Sequence, residues 1–169
     1  MNILILYCHP EPTSFNHSLK EVAVKTLEEQ GHVVEISDLY GEKFDPVESV
    51  KHYRNRLIHD KFDPLSEQRN AYKTDSLADD VKREIERVKR CDLLILQFPL
   101  WWHQQPAMIK GWFDRVFVSG GLYTSSMRYD RGYFKGKRAI CSVTSGAPLN
   151  TFSRQGRGGG DINTLLHPL

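Results

Sequence analysis

Residues 92–117 read DLLILQFPLWWHQQPAMIKGWFDRVF, and this stretch decides the fold class. It begins with a continuous apolar run, Asp92–Leu96, which is typical of a parallel strand covered on both faces. Pro99 ends the strand because it has no N–H to donate. Pro106 suits the first residue of a helix. The apolar stripe of that helix follows at helical spacing and comprises Met108, Ile109, Trp112, Phe113, Val116 and Phe117.

The loop after this strand, Leu100–Gln105, carries two adjacent tryptophans, Trp101 and Trp102. In an open α/β sheet, ligands bind at the carboxyl ends of the strands. Free backbone N–H groups and flat indole faces can hold a planar, electron-rich ring that accepts negative charge, and a flavin is such a ring. The alternative is that the tryptophans only fill the core, and we favour it for Trp112. Trp101 and Trp102 cannot both face one core, because neighbouring side chains of a strand point to opposite sides.

The length of 169 residues predicts one domain, residues 1–169, with a single sizeable core. The 23 Lys and Arg residues barely outnumber the 21 Asp and Glu residues, so the charge indicates no nucleic-acid or anionic-membrane partner. No apolar run approaches the ~18 residues that a bilayer-spanning helix needs, which argues against direct membrane insertion. Polar turn residues follow Ile3–Tyr7 at once, so we expect no signal peptide and a cytoplasmic protein.

The three cysteines, Cys8, Cys91 and Cys141, show no C-x-x-C spacing. Neither a disulfide framework nor a metal site is therefore predicted. Each cysteine lies in or beside an expected strand, which favours buried, reduced thiols in a cytosolic protein.

Strands and helices alternate along the chain. The apolar runs predict strands over Asn2–Cys8, Val33–Ile36, Asp92–Leu96 and Arg138–Thr144. Helical spacing of apolar residues predicts helices from a cap at Thr13 or Ser14 to Gly31, over Ser76–Arg90, and after Pro106. Strands that alternate with helices are joined by right-handed parallel crossovers. The expected fold class is therefore α/β, with a doubly wound parallel sheet.

Two segments interrupt this alternation. Residues 41–74 are polar, with Asp-Pro turns and few apolar anchors, so we expect a long excursion across one sheet edge that is functional or mobile. Residues 156–160, GRGGG, form a glycine-rich patch. A phosphate-binding loop directly follows a strand and begins a helix. This patch follows a strand only at a distance and begins no clear helix, so we favour a flexible lid over a phosphate cradle.

The turn after the first strand differs from a dinucleotide-binding loop. Residues 9–16 contain no glycine, whereas the Rossmann fingerprint requires G-x-G-x-x-G, so we do not expect a nicotinamide cofactor to bind there directly. The hydroxyls and free N–H groups of Thr13–Asn16 suit a phosphate, although an ordinary helix cap also explains them. Three strand ends, residues 9–16, 100–105 and 144–148, then point at one site.

Four segments together resemble one family. They are HPEPTSFN at 9–16, FPLWWHQQPAMIKGWFDRVF at 98–117, GLYTSSMRYDRGYFKGKRAI at 121–140 and VTSGAP at 143–148. The chain resembles, from Asn2 to about Leu169, the flavodoxin-like NAD(P)H:quinone oxidoreductases of the DT-diaphorase family, with a loose match over 41–74. The resemblance implies a flavodoxin-like sheet of strand order 2-1-3-4, whose fifth strand is missing or truncated here. It also implies a flavin-bound homodimer with active sites shared between subunits.

The residues that the family uses to bind flavin and substrate carry over by position. On the phosphate and adenine side of the flavin, the resemblance places His9, Thr13, Ser14, Phe15 and Asn16. Around the isoalloxazine ring it places Leu100, Trp101, Trp102 and His103. At the far edge of the ring it places Thr144, Ser145, Gly146 and Ala147. In the loop used against substrate it places Leu122, Tyr123 and Thr124. Each of these residues also has an ordinary structural explanation. His9 can be a turn histidine, and Tyr123 can cover the core. Thr144 and Ser145 can simply end a strand.

The activity that the resemblance implies is two-electron, ping-pong hydride transfer from NADH or NADPH, through the flavin, to quinones or similar flat acceptors. FAD is the expected flavin, and FMN is the alternative. Because the cofactor performs the difficult step, the protein has to orient the reactants and to stabilise the anionic reduced ring with backbone N–H groups.

One part of the family pattern is not matched. The best-known members carry a tyrosine and a histidine after the fourth strand, and these residues are thought to relay charge during hydride transfer. Phe152 stands at the tyrosine position, and residues 157–159 stand where the histidine would fall. No catalytic residue is therefore assigned, and a positive charge from Arg157 is a hypothesis.

A different functional class stays open. Such a domain can be a flavin-binding electron carrier or an ancillary regulatory subunit of a cation-efflux system. Carriers of the flavodoxin group tend to be acidic, with short loops around the flavin, whereas this chain has a net charge of +2 and long aromatic loops. Azo or nitro reduction is a third possibility, since it uses the same slot and differs only in substrate.

Overall fold

Four parallel strands form one sheet in the computed structural model, which describes residues 1–153, 155–156 and 160–167. The strands are β1 (Asn2–Tyr7), β2 (Val33–Asp38), β3 (Leu93–Pro99) and β4 (Arg138–Thr144). The α-helices are α1 (Phe15–Glu29), α2 (Pro64–Lys73), α3 (Asp79–Arg90), α4 (Ala107–Val116) and α5 (Ile162–Leu166). The sheet order is β2-β1-β3-β4, which confirms the expected order 2-1-3-4. Within the ranges just given there is no fifth strand.

Apolar residues cover both faces of the sheet. Successive residues of a strand point to opposite faces, and β1 shows this most clearly. Leu4 and Leu6 belong to the larger core, which α3 and α4 cover. Ile3 and Ile5 belong to a smaller core against α1, where Leu27 packs. The expected doubly wound arrangement, with helices on both faces, is therefore confirmed.

A buried carboxylate ties α3 to β2 and α4. Oε2 of Glu84 accepts a hydrogen bond from Ser37 Oγ at 2.7 Å and another from Trp112 Nε1 at 2.8 Å. Oε1 of Glu84 accepts from Arg87 Nη1 at 2.6 Å. A buried charge is tolerated only when its oxygens are hydrogen-bonded, as both are here. Trp112 has no exposed surface, so the prediction that it belongs to the core is confirmed.

The carboxyl ends of β1, β3 and β4 lie level with one another. Tyr7 of β1 is paired with Gln97 of β3, and Gln97 is paired with Ser142 of β4. The last residue of β3 is Pro99, as the sequence predicts. The next residue, Leu100, is still hydrogen-bonded to β4, since its N–H donates to the carbonyl oxygen of Thr144 at 2.8 Å. The loops that follow these strands therefore leave the sheet at one edge.

Two helix starts differ slightly from expectation. Helix α3 begins at Asp79 rather than at Ser76, because Ala78 is its N-cap and has an extended ψ of 145°. Helix α4 begins at Ala107. Pro106 precedes it as the N-cap, with an extended ψ of 150°, instead of being its first residue.

The excursion, residues 41–74, has few buried apolar residues, as expected, but it is packed and contains α2, which the sequence analysis did not predict. Pro64 at the start of a helix is a known start signal that the polar composition of the segment obscured. The excursion packs on α4, where a Cβ on Gly111 would lie 2.1 Å from the carbonyl oxygen of Pro46. Its buried residues are Phe44, Tyr53, Glu67, Gln68 and Ala71.

The three cysteines differ in exposure, which corrects the expectation that all are buried. Cys8 and Cys91 are buried, whereas Cys141 is exposed. Cys141 lies on β4, one of the two edge strands of the sheet in the part of the chain that the structure describes. All three thiols are free. Burial and, to a smaller extent, the charge of Asp38 raise the pKa of the Cys8 thiol to about 12.

Iodoacetamide at pH 8 should therefore alkylate Cys141 at least about tenfold faster than Cys8, because only an accessible thiolate reacts. Peptide mass spectrometry of the native protein at successive times measures both rates. A Cys141→Ser variant should lose the fast reaction. Equal rates at Cys8 and Cys141 in the folded protein would contradict the burial described above.

A second buried carboxylate, Glu67 of α2, holds the excursion together. Oε1 of Glu67 accepts from Arg56 Nε at 2.8 Å, and Oε2 accepts from the N–H of Leu57 at 2.9 Å. The N–H of Ile58 donates to Oε1 at 3.2 Å. Burial alone would raise the pKa of the Glu67 carboxyl, but Arg56 and the two backbone donors outweigh it and hold this pKa below 4.5.

Replacing Glu67 with Gln should lower the free energy of unfolding at pH 7, and the difference from wild type should shrink as the pH falls. A carboxyl whose pKa is lower in the folded state contributes stability above its unfolded pKa, near 4.5, and loses that contribution as the pH drops through the folded value. Urea unfolding between pH 7 and pH 3 measures the difference. Glu28→Gln, on the exposed side of α1, is the control. A difference that does not vary with pH would refute this account.

Candidate functional site

A chain of side-chain hydrogen bonds joins α1, β3 and β4 at the carboxyl edge of the sheet. Nε2 of Gln97, on β3, donates to Oδ1 of Asn16 at 2.6 Å. Nδ2 of Asn16 donates in turn to Oγ1 of Thr144, the last residue of β4. Asn16 is the second residue of α1 and is 3% exposed. The structure thus brings Asn16 and Thr144 together, as the sequence predicts from the strand ends.

Gln97 is the residue of this chain that sequence analysis missed. It is 2% exposed and follows four apolar residues of β3. A buried amide must find hydrogen-bond partners, so a glutamine at the end of an otherwise apolar strand indicates a polar cluster at that strand end. Which loop supplies the partner could not be known without the strand register.

The loop after β3 is a two-residue reverse turn. The N–H of Trp101 donates to the carbonyl of Gln104 at 3.0 Å, and the N–H of Gln104 donates back at 3.1 Å. Trp102 and His103, between them, have φ of 52° and 62°. Two successive left-handed residues are the geometry of a type I′ turn, which normally uses Asn and Gly. Bulky residues in this conformation are a form of backbone strain that concentrates at functional sites.

Both tryptophans of this turn reach the surface. Trp101 is 41% exposed and Trp102 is 95% exposed. The alternative that they only fill the core is therefore wrong for these two residues. Water-facing indoles on a strained turn present a flat apolar surface that folding alone does not require.

His9 faces the tryptophan turn from the loop after β1. The centroid of its ring lies 6.2 Å from that of Trp101, at an interplanar angle of 55°. The N–H of Glu11 lies 3.1 Å from Nδ1 of His9, which fixes the imidazole in its loop. His9 is thus both an anchored turn histidine and a neighbour of Trp101.

The hydroxyls before α1 are already hydrogen-bonded. Ser14 caps the helix and accepts from the N–H of His17 at 3.1 Å. Thr13 donates to Oε1 of Glu11 through its hydroxyl, at 2.7 Å, and through its N–H, at 2.9 Å. These bonds hold the pKa of the Glu11 carboxyl below its usual value. An ordinary cap therefore accounts for Ser14, and a phosphate bound here would replace the Glu11 carboxylate on the Thr13 donors. Phe15, beside them, has an exposed ring.

The donor set of the site fits a planar ring that accepts hydrogen bonds. In the part of the chain that the structure describes, the N–H groups of Trp102, His103, Ser145 and Gly146 donate to no protein acceptor. Ser145 and Gly146 follow β4 and are exposed, and the Ser145 hydroxyl accepts from the N–H of Ala147 at 3.1 Å. Oriented backbone donors of this kind favour negative charge. Together with the exposed indoles, they suit the isoalloxazine ring of a flavin.

The substrate loop expected at 122–124 is only partly at the surface. Leu122 is 1% exposed and packs in the larger core, so a direct contact between its side chain and a substrate is not supported. Tyr123 is half-buried and lines a cleft of about 580 Å³. The other residues that line this cleft are Gln104, Gln105, Lys110, Phe113, Asp114 and Phe117. Tyr123 therefore lies on the same cleft as the end of the tryptophan turn. The Thr124 hydroxyl accepts from the N–H of Met127 at 3.1 Å and shapes the loop.

Comparison with known proteins agrees with this geometry. A family described as having a flavodoxin-like fold matches residues 1–169. NAD(P)H dehydrogenase (quinone) 1 of Cavia porcellus is 43% identical over 167 residues, which are 98% of this chain and 60% of that protein. Ribosyldihydronicotinamide dehydrogenase (quinone) of Pongo abelii is 42% identical over 168 residues, which are 99% of this chain and 72% of that protein.

A solved structure of a candidate quinone reductase from Klebsiella pneumoniae superposes with a TM-score of 0.91 at 32% identity, over 100% of this chain and 68% of that one. The chain belongs to the flavodoxin-like NAD(P)H:quinone oxidoreductase family. It spans 60% to 72% of the length of the two named dehydrogenases.

As a member of the quinone oxidoreductase family, this chain departs from the expected relay after β4. Phe152, at the position of the family's tyrosine, is buried and carries no hydroxyl. Arg157 and most of the glycine-rich patch, Gly158 and Gly159, lie outside the described residues. Among the residues that are described, no three His, Cys, Asp or Glu side chains form a group that could hold a metal ion, and no helix is long and apolar enough to cross a membrane.

Replacing Gln97 with Leu should lower the free energy of unfolding by about 2 kcal/mol, because Oδ1 of Asn16 would lose its buried donor. Urea unfolding followed by fluorescence measures the change. Gln30→Leu, at an exposed position after α1, is the matched control and should stay within about 0.5 kcal/mol of wild type. Equal effects of the two variants would show that the Gln97–Asn16 bond contributes nothing.

Proposed function

We propose that this chain is a flavin-dependent NAD(P)H:quinone oxidoreductase that passes two electrons, as a hydride, from a reduced nicotinamide to a quinone or a similar flat acceptor. One observation carries the proposal: the loop with exposed Trp101 and Trp102 is hydrogen-bonded to β4 at Thr144, where Asn16 ties α1 to β3 and β4. The names of the related dehydrogenases support the same activity.

The residues at the carboxyl edge would hold the flavin. When bound, the flavin supplies the chemistry of accepting a hydride from the nicotinamide and passing it to the acceptor. The N–H groups of Trp102, His103, Ser145 and Gly146 are free to donate to the polar edge of such a ring and to favour negative charge there. The indoles of Trp101 and Trp102 would stack against flat rings and exclude water from the reacting face.

The cleft beside Tyr123 would accept the ring of the donor or of the acceptor. Its aromatic wall favours flat, apolar molecules and discriminates little between them, because the burial of apolar surface is not directional. No protein nucleophile is required for this reaction, because the flavin carries the hydride. The protein contributes orientation and electrostatic stabilisation.

We further propose FAD as the flavin, since the rings of His9 and Phe15 lie at the first turn, where an adenine could stack beyond the tricyclic ring. A homodimer, with Tyr123 of the partner subunit at each slot, is supported by the exposure of Trp102 and Tyr129, which are 95% and 94% exposed. The three free thiols support a reducing compartment such as the cytoplasm.

The purified protein, supplied with FAD, should show flavin absorption that NADPH bleaches and menadione restores. Heat release of the bound flavin, followed by mass measurement, distinguishes FAD from FMN. Trp102→Ala should weaken flavin binding about tenfold, because an aromatic stack contributes about 1 kcal/mol or more. Val22→Ala, which shortens an exposed apolar side chain on α1, is the control and should leave binding unchanged.

The other functional classes give different results in the same experiment. Bleaching by NADPH without recovery on menadione or on an azo dye would favour an electron carrier or a regulatory subunit. Recovery on an azo dye alone would favour azo reduction. A colourless protein that binds neither FAD nor FMN would overturn the proposal.

A further inference from the structure

We propose that helix α2 positions the acceptor-binding loop through Gln68, so that Gln68 is a positioning residue for the flat acceptor. The Tyr123 loop is defined here as residues 119–124. This inference rests on the proposed function, because it takes the cleft beside Tyr123 as the place where the acceptor binds. It assigns a role to the excursion, the segment that matches the family least.

Gln68 uses its whole side-chain amide. Nε2 donates to Oε2 of Glu48 at 2.8 Å and to the carbonyl oxygen of Asp114 at 2.9 Å. Oε1 accepts from the N–H of Ser119 at 3.1 Å. Gln68 is 3% exposed. The side chain therefore joins the excursion, the last turn of α4 and the first residue of the Tyr123 loop.

The orientation of this amide is fixed by its neighbours. Glu48 and the Asp114 carbonyl only accept hydrogen bonds, so they require the NH₂ group of Gln68 on their side. Glu48 is itself held by Tyr53, whose hydroxyl donates to Oε2 at 3.2 Å. Rotating the Gln68 amide by half a turn would place its oxygen against two acceptors. Oε1 must therefore face the N–H of Ser119.

The conformation of the Tyr123 loop couples the position of Ser119 to that of Tyr123. Gly120 has a left-handed φ of 84°, and its N–H donates to the carbonyl oxygen of Tyr123 at 2.8 Å. A Cβ on Gly120 would lie 2.9 Å from Cγ of Arg69, the residue after Gln68 in α2. The loop therefore closes on itself one residue beyond Ser119 and rests against α2. A shift of the Ser119 backbone must move Tyr123.

Both walls of the cleft are fastened to the same side chain. Asp114 and Tyr123 line the cleft, and Gln68 bonds directly to the backbone of Asp114 and of Ser119. Its amide thus sets the distance between α4 and the loop. Because Gln68 does not line the cleft, it acts on the acceptor only through these backbone groups.

Two substitutions in α2 separate positioning from stability. Gln68→Met fills the same space and removes both kinds of hydrogen bond. Glu67→Gln weakens the bonds of α2 to Arg56, Leu57 and Ile58 and leaves the bond from Ser119 to Gln68 in place. Both variants should be less stable than wild type. Only Gln68→Met should raise KM for menadione, by about tenfold with kcat within about twofold, because only it releases the loop.

Amide hydrogen exchange gives a readout that needs no activity. In Gln68→Met the amides of Ser119 and Gly120 should exchange at least about tenfold faster than in wild type, and in Glu67→Gln the rate at Ser119 should change less than threefold. Asn70→Met, which removes a bond from α2 to the carbonyl of Asn55 and leaves the loop untouched, should match wild type in KM and in exchange at Ser119. If Gln68→Met does not fold, Gln68→Asn, whose amide is one methylene shorter, should show the same direction of change.

A KM that rises equally in Gln68→Met and Glu67→Gln, in step with lost stability, would overturn the inference. So would a Gln68→Met protein with unchanged KM or unchanged exchange at Ser119. If the wild-type protein binds flavin but reduces no quinone, the proposed function fails and the acceptor role of Gln68 fails with it. Hydrogen exchange would still show separately whether Gln68 holds the loop.

Discussion

The side-chain amide of Asn16 is the interaction on which the site depends. It accepts from Gln97 of β3 and donates to Thr144 of β4, and its own backbone lies in the first turn of α1. A parallel sheet brings strand ends to one edge but leaves the loops beyond them free to separate. A buried amide that satisfies one partner on each neighbouring strand removes that freedom, because releasing either bond leaves a polar atom unpaired in the interior.

The layers behind the site are fixed in the same way. Glu84 joins α3, β2 and α4 through three donors, and Gln68 joins the excursion to the end of α4. Apolar packing alone sets which faces meet, but it tolerates small sliding movements between helices. Hydrogen bonds to buried polar groups are directional, so they fix the position of each helix relative to its neighbours. The surface around the tryptophan turn can therefore be rigid although it consists mostly of loops.

Much of the fold could be predicted from the sequence because periodicity reports local burial. The apolar runs of β1 and β3, and the stripe that contains Trp112, identified a doubly wound sheet and its core. The position of Asn16 beside Thr144 followed from the edge at which parallel strands end. The roles of individual residues in binding flavin or substrate stay predictions, because they rest on the resemblance to the family and not on a bound ligand.

What the sequence could not provide depends on contacts between distant segments. The excursion looked polar because its buried groups, Glu67 and Gln68, are polar residues satisfied by other parts of the chain. Gln97 carried a signal, yet its partner lies 81 residues away. Cys141 seemed buried because a strand pattern does not tell an outer strand from an inner one.

The left-handed turn at Trp102 and His103 sets two selection pressures against each other. Glycine or asparagine would relax the backbone there, so selection for thermal tolerance alone would favour replacing either side chain. The same change would remove the aromatic or imidazole surface that this turn presents to solvent. A lineage that keeps large rings at these positions keeps a less stable protein. In a relative that has lost these rings, we expect a different ligand on the same fold.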